Sequence, residues 1–191
     1  HGDVIMIGSY VVYFAFGASG LNPVLSIVLS MIVCTILGVV IERLAYRPLR
    51  EAPSLAVLIT AIGVSYLLQQ VAQLSWSSNP KSFTSVVSGM KPVSLFGGQL
   101  TISAETIVTI VACVVIMVVL MWFVNYTSAG HAMLAVSEDR GAAQLMGVNV
   151  NGTISLTFAI GSALAAIAGA LLCSSYPTLQ PTTGAMPGIK A

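Results

Sequence analysis

The chain has 191 residues, of which 57% are hydrophobic and only 7% are charged, with a formal net charge of +1. Because soluble domains carry about 25% charged residues, this composition excludes a soluble globular domain and indicates an integral membrane protein. The near-neutral charge gives no basic surface for nucleic acid. All three cysteines lie in apolar runs, which predicts buried thiols and neither disulfides nor a metal site.

Five apolar segments follow one another along the chain, at about residues 4–19, 24–41, 54–75, 106–124 and 153–175. The last four are long enough for spanning helices, which need about 20 apolar residues. The first is shorter and is interpreted as part of a broken or re-entrant helix. Since backbone groups in lipid must be satisfied internally and no alternating pattern supports a barrel, we predict an all-α, polytopic transmembrane bundle of about five segments.

The charged loops predict how the segments are oriented. Loop 42–53 carries three arginines and loop 125–152 carries a fourth, whereas loop 76–105 carries two lysines. The first two loops are separated by two spans, so we expect them on the same side. The positive-inside rule then predicts that both are cytoplasmic and that 76–105 is external. That external loop is rich in Ser, Gly and Pro, with short β-like pieces at 85–87 and 99–102, and predicts a small hairpin or an irregular lid.

Polar residues inside the apolar segments are the candidates for a transport path. Gln69 lies four residues after Ser65, so both can face one side of a helix, and Gln70 follows directly. These residues either line an aqueous path, or hydrogen-bond to a neighbouring helix, or simply lie close to the outer interface. Asp3, near the start of the first apolar run, is either a functional carboxylate within the membrane or a solvated end.

The fifth apolar segment carries Gly161, Ala165 and Gly169 at four-residue spacing. Such a stripe of small residues lets another helix approach closely. We therefore expect these three residues to be packing positions in a helix interface, not ligand contacts.

Residues 131–147 form a polar stretch between two long apolar segments, and their pattern predicts one short helix. Polar and small side chains along it could contact a soluble partner: Glu138, Asp139, Arg140, Ala142 and Ala143. Gly147 would permit the turn at the C-terminal end of this helix. An ordinary solvated interhelical loop explains the same pattern.

The chain shows no residues arranged for catalysis. It has two histidines, no nucleophile–base–acid set, no metal-binding spacing and no phosphate-binding loop motif. We therefore predict a transport subunit and not an enzyme, with no cofactor of its own. The competing class is a secondary transporter or channel without an ATPase, which would show paired intramembrane ionisable residues or inverted half-repeats.

Six sequence blocks spread along the chain carry a family resemblance. They are HGDVIMIGSY at 1–10, ERLAYRPLR at 42–50, LITAIGVS at 58–65, AVSEDRGAAQLMGVNV at 135–150, FAIGSALAAIAGALL at 158–172 and YPTLQPTTGAMPGIKA at 176–191. Together they resemble the permeases of bacterial branched-chain amino-acid ABC importers, the high-affinity leucine/isoleucine/valine family. The resemblance implies a transmembrane permease domain over 1–191, a fragment lacking both ends, with 131–147 as the cytoplasmic coupling helix that contacts an ATPase.

The resemblance also implies a function and a set of partners. The function would be movement of leucine, isoleucine and valine across the bacterial inner membrane, with loop 76–105 in the periplasm. The partners would be two ABC ATPase subunits that bind ATP and Mg²⁺, a second similar permease, a periplasmic substrate-binding protein and membrane lipid. Related permeases import urea, short amides or other amino acids, and these substrates are the alternative.

Overall fold

The structure, a computed structural model, describes residues 2–18, 20, 22–50, 52–77, 79–82, 93–95, 100–176, 178–180 and 184. Its helices are α1 (Gly2–Tyr13), α2 (Pro23–Ile41), α3 (Ser54–Trp76), α4 (Ala104–Tyr126), α5 (Ser128–Glu138), α6 (Arg140–Leu145) and α7 (Val150–Ser175). Its strands are β1 (Lys81–Ser82), β2 (Val93–Leu95), β3 (Leu100–Ile102) and β4 (Thr178–Leu179). The chain divides into two compact units, one of residues 1–86 and 158–191 and the other of residues 87–157.

Within the part of the chain that the structure describes, four helical segments are long and apolar enough to cross a membrane. They are Pro23–Leu49, Leu55–Trp76, Ala104–Tyr126 and Val150–Ser175, and a shorter apolar helix, Gly2–Gly17, precedes them. The prediction of a helical membrane bundle with four spanning segments and a short first segment is therefore confirmed. Two helices continue as π-helical turns, α1 at Phe14–Ala18 and α2 at Glu42–Tyr46.

Small residues, not large ones, form the buried face of α2. Ser26, Ser30, Cys34 and Gly38 are buried and recur every fourth residue, whereas large aliphatic side chains of α2 are exposed. In lipid, large apolar side chains lose nothing by facing outward, so helices pack through residues that let their backbones approach. Accordingly, the Ser30 hydroxyl donates a hydrogen bond of 2.9 Å to the carbonyl oxygen of Gly8 in α1.

Close contacts also join α7 to α1 and α2 in the first unit. A Cβ atom on Gly169 would collide with the carbonyl oxygen of Ile5, and one on Gly38 would collide with the Ser162 side chain. Ala165 and Gly169 are buried in this interface, and Gly161 is half-buried. These helices therefore meet at backbone distance, which only glycine allows at positions 38 and 169.

Aromatic rings pack together where α1 and α3 end. Tyr10 stacks on Trp76 with ring centroids 4.7 Å apart, and Phe14 lies 6.0 Å from the same indole. The Lys81 ammonium lies 4.6 Å from the centroid of the Phe14 ring. This cation–π contact ties β1 to the π-helical turn after α1. The antiparallel pairing of β1 with β4 joins the residues after α3 to those after α7.

The second unit contains α4, which has no buried residue, and the shorter helices α5 and α6. Cys113 of α4 is exposed, so the expectation of a buried thiol is wrong for this cysteine. Strands β2 and β3 form an antiparallel pair within the predicted external loop, and β3 coincides with part of the β-like piece expected at 99–102. The other expected piece, at 85–87, lies outside the described residues. A turn joins α4 to α5, where a Cβ atom on Gly130 would collide with the backbone of Phe123 and Val124.

Candidate functional site

A cavity of about 580 Å³ lies within the first unit. Residues of α1, α2 and its π-helical turn, α3 and α7 line it. We call it the Asp3 cavity. Its polar lining side chains are Asp3, Tyr46, Ser65, Tyr66, Gln69 and Ser162, and the apolar ones include Ile41, Ala61, Ile62, Leu68 and Phe158. A cavity of this size and mixed lining suits a small solute, because small-molecule sites occupy about 300–1,000 Å³.

The structure brings three of the sequence-predicted path residues into contact in this cavity. The Gln69 amide nitrogen donates a hydrogen bond of 2.9 Å to Asp3 Oδ1 and a longer one of 3.4 Å to Ser65 Oγ. All three side chains are half-buried. Asp3 and Gln69 are 66 residues apart in sequence, so packing of α1 against α3 creates the cluster.

The helical period of α3 explains why its polar residues share this face. Ala61, Ser65 and Gln69 recur every fourth residue, and residues at that spacing lie above one another on a helix. Ser65 lies in the middle of the candidate span Leu55–Trp76, ten residues after its start and eleven before its end. By length and composition, the cluster therefore lies inside the apolar span and not at its end.

Gln70, the fourth predicted path residue, lies elsewhere. It is exposed, and it is not among the described residues that line the Asp3 cavity. One residue along a helix rotates the side chain by about 100°, so Gln69 and Gln70 face different directions. The structure thus distinguishes two neighbouring residues that the sequence treated together.

Lining residues that were not predicted from the sequence include Tyr46, Phe158 and Ser162. The rings of Tyr46 and Phe158 lie 5.3 Å apart, with a tilt of 36° between their planes. Tyr46 belongs to the π-helical turn that follows α2, and such turns are frequent at functional sites. No spacing rule predicts this turn, so Tyr46 could not be identified as a lining residue from the sequence.

A buried ion pair holds the segment after α2. Glu42 is fully buried, and its carboxylate pairs with the Arg50 guanidinium. A buried carboxylate is costly without such a partner. The pair ties Arg50, which follows the helical segment ending at Leu49, to Glu42 directly after α2. The predicted loop 42–53 is therefore helical as far as Leu49. From the sequence, Arg50 was identified only as a loop charge, and its pairing with Glu42 was not predicted.

The segment 131–147 differs from the single helix that the sequence predicted. It divides into the end of α5 and the whole of α6, because Asp139 adopts an extended conformation with φ −149° and ψ 111°. The Asp139 carboxylate accepts hydrogen bonds from the backbone nitrogens of Gly141 (2.8 Å) and Ala142 (3.1 Å). Asp139 therefore caps α6 and starts a new helix where a continuous one was expected.

The C-terminal end of α6 follows the expectation for Gly147, which has φ +83°. The Gly147 nitrogen donates to the Gln144 carbonyl and the Val148 nitrogen donates to the Ala143 carbonyl, each at 3.0 Å. These two bonds define a Schellman motif, in which glycine occupies the left-handed position. Capped at both ends, α6 is a short helix with fixed bounds.

The surface of α6 is unusual for a polar segment. Leu145 is 90% exposed and Met146 is 84% exposed, whereas Ala143 is buried. Glu138, Asp139, Arg140 and Ala142 are also exposed. The polar and small residues of this surface were predicted from the sequence, but the two large apolar ones were not. We call Leu145 and Met146 the apolar tip of α6.

Among the described residues, no group of three or more His, Cys, Asp or Glu side chains could hold a metal ion.

The cavity and the apolar helices around it define a polytopic membrane protein with a polar site inside its first unit. Transport permeases belong to this class.

The chain belongs to the family described as "Branched-chain amino acid transport system / permease component", whose model matches residues 1–191. The chain is 38% identical to the high-affinity branched-chain amino acid transport system permease protein BraD of Pseudomonas aeruginosa. It is 36% identical to the permease proteins LivH of Salmonella typhimurium and Escherichia coli, which belong to systems of the same description. The family resemblance of the six sequence blocks is thereby confirmed.

Each of these alignments covers 100% of the chain and 65% of the relative. The chain therefore spans somewhat less than two thirds of the length of these curated relatives. No solved structure matches the chain.

Proposed function

We propose that the chain forms part of the permease subunit of an ATP-binding-cassette importer that moves leucine, isoleucine and valine across the bacterial inner membrane. The observation that carries this proposal is the match of the permease family over all of residues 1–191. The chain itself performs no catalysis in this account. ATP and Mg²⁺ are bound by partner subunits.

We assign the translocation path to the Asp3 cavity. Its contacts between Asp3, Ser65 and Gln69 support this assignment, since polar groups within apolar spans mark solute pathways. Gln70, exposed on another face of α3, is left out of the path.

We assign ATPase coupling to the segment 131–147, with α6 as the docking element. The exposed apolar tip supports this assignment, because large apolar side chains in a polar interhelical segment are suited to a partner's groove. Glu138, Asp139 and Arg140 would contribute polar contacts at the rim of the same interface.

The proposed topology has loops 42–53 and 125–152 in the cytoplasm and loop 76–105 in the periplasm, which the distribution of arginines supports. The proposed partners are two ATPase subunits, a second homologous permease and a periplasmic substrate-binding protein. ATP binding closes the ATPase pair and favours the outward-open state of the permeases, which then accept solute from the docked binding protein. ATP drives this cycle only through its higher affinity for the closed ATPase state.

The proposal is tested by ATP hydrolysis in proteoliposomes that contain the full-length protein, its partner permease and its ATPases. We expect binding protein loaded with leucine, isoleucine or valine to stimulate hydrolysis several-fold over empty binding protein. If binding protein loaded with urea, a short amide or another amino acid stimulates hydrolysis instead, the assignment as an importer stands and the assigned substrate changes. Hydrolysis indifferent to every loaded binding protein would contradict the coupling.

A further inference from the structure

The charge of the Asp3 cavity is unbalanced. Among the lining residues that the structure describes, Asp3 is the only one with an ionisable acidic or basic side chain apart from the tyrosines. A carboxylate within an apolar span is costly unless a partner compensates it. The neutral amide of Gln69 donates one hydrogen bond but brings no positive charge.

The contacts of Gln69 orient the carboxylate. Its amide nitrogen donates to both Asp3 Oδ1 and Ser65 Oγ, which fixes the amide between α1 and α3. A carboxylate offers about four lone-pair directions on its two oxygens, and the described contacts use one. Among the described residues, no second donor reaches the carboxylate, and a donor that enters the cavity would use one of the remaining directions.

We propose that the Asp3 carboxylate, positioned by Gln69, binds the α-ammonium group of an amino acid in the Asp3 cavity. Asp3 then selects for solutes with a cationic nitrogen over neutral ones such as urea or a sugar. The apolar walls formed by Ile62, Leu68 and Phe158 accept an aliphatic side chain. This inference rests on the proposed function and names the group in this chain that recognises the substrate.

The first test measures the charge preference of the cavity without relying on transport. A cysteine is introduced as Ala61→Cys in the full-length protein, and its modification rates by a trimethylammonium-ethyl and a sulfonato-ethyl methanethiosulfonate are compared. The parent protein gives the background from Cys34, Cys113 and Cys173. We expect the cationic reagent to react faster, and Asp3→Asn to lower the ratio of the two rates on the order of tenfold.

Matched variants distinguish loss of the charge interaction with Asp3 from a general disturbance of the cavity. Asp3→Glu is expected to keep the rate ratio. Gln69→Ala is expected to lower it, because the carboxylate loses its orienting contact, whereas Gln70→Ala on the other face of α3 is expected to leave it unchanged. A ratio that Asp3→Asn does not alter, or a cysteine at 61 that neither reagent reaches, would overturn the inference.

The second test uses protection of the same cysteine by leucine analogues. Leucine and 3-methylbutylamine, which carry the ammonium group, should slow modification, whereas 4-methylpentanoate should not. Asp3→Asn should abolish protection. Leucine-stimulated ATP hydrolysis in the same proteoliposomes reports on the proposed function independently. Stimulation by leucine together with protection that survives Asp3→Asn would overturn the inference alone. Absent stimulation with a charge preference that depends on Asp3 would overturn the proposed function alone.

Discussion

Replacing Gly169 with leucine is expected to lower the melting temperature of the detergent-solubilised full-length protein by about 5 °C or more. A Cβ atom at position 169 would collide with the carbonyl oxygen of Ile5 and lie 2.8 Å from Ser9 Oγ. Because a backbone carbonyl cannot rotate away, α7 and α1 must separate. Overpacking of this kind costs about 1–3 kcal/mol, and a backbone clash belongs at the upper end of that range.

Gly63→Leu is the matched control. Gly63 also lies inside a spanning helix, but nothing stands within 4 Å of its ideal Cβ position. Leucine has a better helix propensity than glycine, so this variant should melt within about 2 °C of the parent protein or slightly above it. Thermal unfolding followed by loss of monodisperse protein measures both variants. Equal melting temperatures for the two would contradict the close packing of α1 and α7.

Replacing Leu145 with aspartate is expected to weaken ATPase binding on the order of thirtyfold or more, since truncating an interface hot spot costs about 2 kcal/mol or more. Leu145 is 90% exposed, so the substitution should not disturb the fold. The variant should insert normally and lose both capture of the ATPase and stimulated ATP hydrolysis. Gly147 is a poorer probe, because its φ of +83° would strain any other residue.

The control for this effect is Leu74→Asp. Leu74 is 88% exposed near the end of α3, which the proposed topology assigns to the opposite side of the membrane. Capture of the tagged ATPase from detergent extracts is then compared for the two variants at equal permease levels. Loss of capture with Leu145→Asp and retention with Leu74→Asp is the expected pattern. Equal capture by both would refute the docking role of α6.

The spanning helices were predictable from the sequence because the length of an apolar segment decides whether it can cross a membrane as a helix. It predicted the small-residue stripe of α7 but missed the longer one in α2, where Ser26, Ser30, Cys34 and Gly38 recur every fourth residue. The same rule of small residues at four-residue spacing would have found that stripe. The helix that packs against the α2 stripe could not be predicted from residue spacing. The hydrogen bond from Ser30 to Gly8 depends on the packing of α2 against α1.

In segment 131–147, two local preferences compete, namely continuation of one helix and the start of a second helix at an N-cap residue. The pattern predicted one helix, but Asp139 is a strong N-cap residue, and its carboxylate accepts two backbone hydrogen bonds that start α6. Because aspartate is among the preferred N-cap residues, a helix start at Asp139 was predictable from the sequence. The turn at Gly147 was predicted correctly, because a glycine after a short helix is typical of a left-handed C-terminal cap.

The cavity was partly predictable. The spacing of Ser65 and Gln69 placed both on one face of α3, and the helix rotation that separates Gln69 from Gln70 could have been applied as well. The contact between Gln69 and Asp3 joins two helices, so only the packed structure supplies it. Tyr46 reaches the cavity through a π-helical turn, which no local pattern predicts.

The central claim is that this chain belongs to an ATP-driven importer of branched-chain amino acids. Its most direct test is uptake of radiolabelled leucine by proteoliposomes containing the full-length protein, its partner permease, its ATPases and its binding protein, with and without ATP. The account predicts uptake that requires both ATP and the binding protein and that unlabelled isoleucine and valine compete away. Leucine uptake indifferent to ATP and to the binding protein would contradict it.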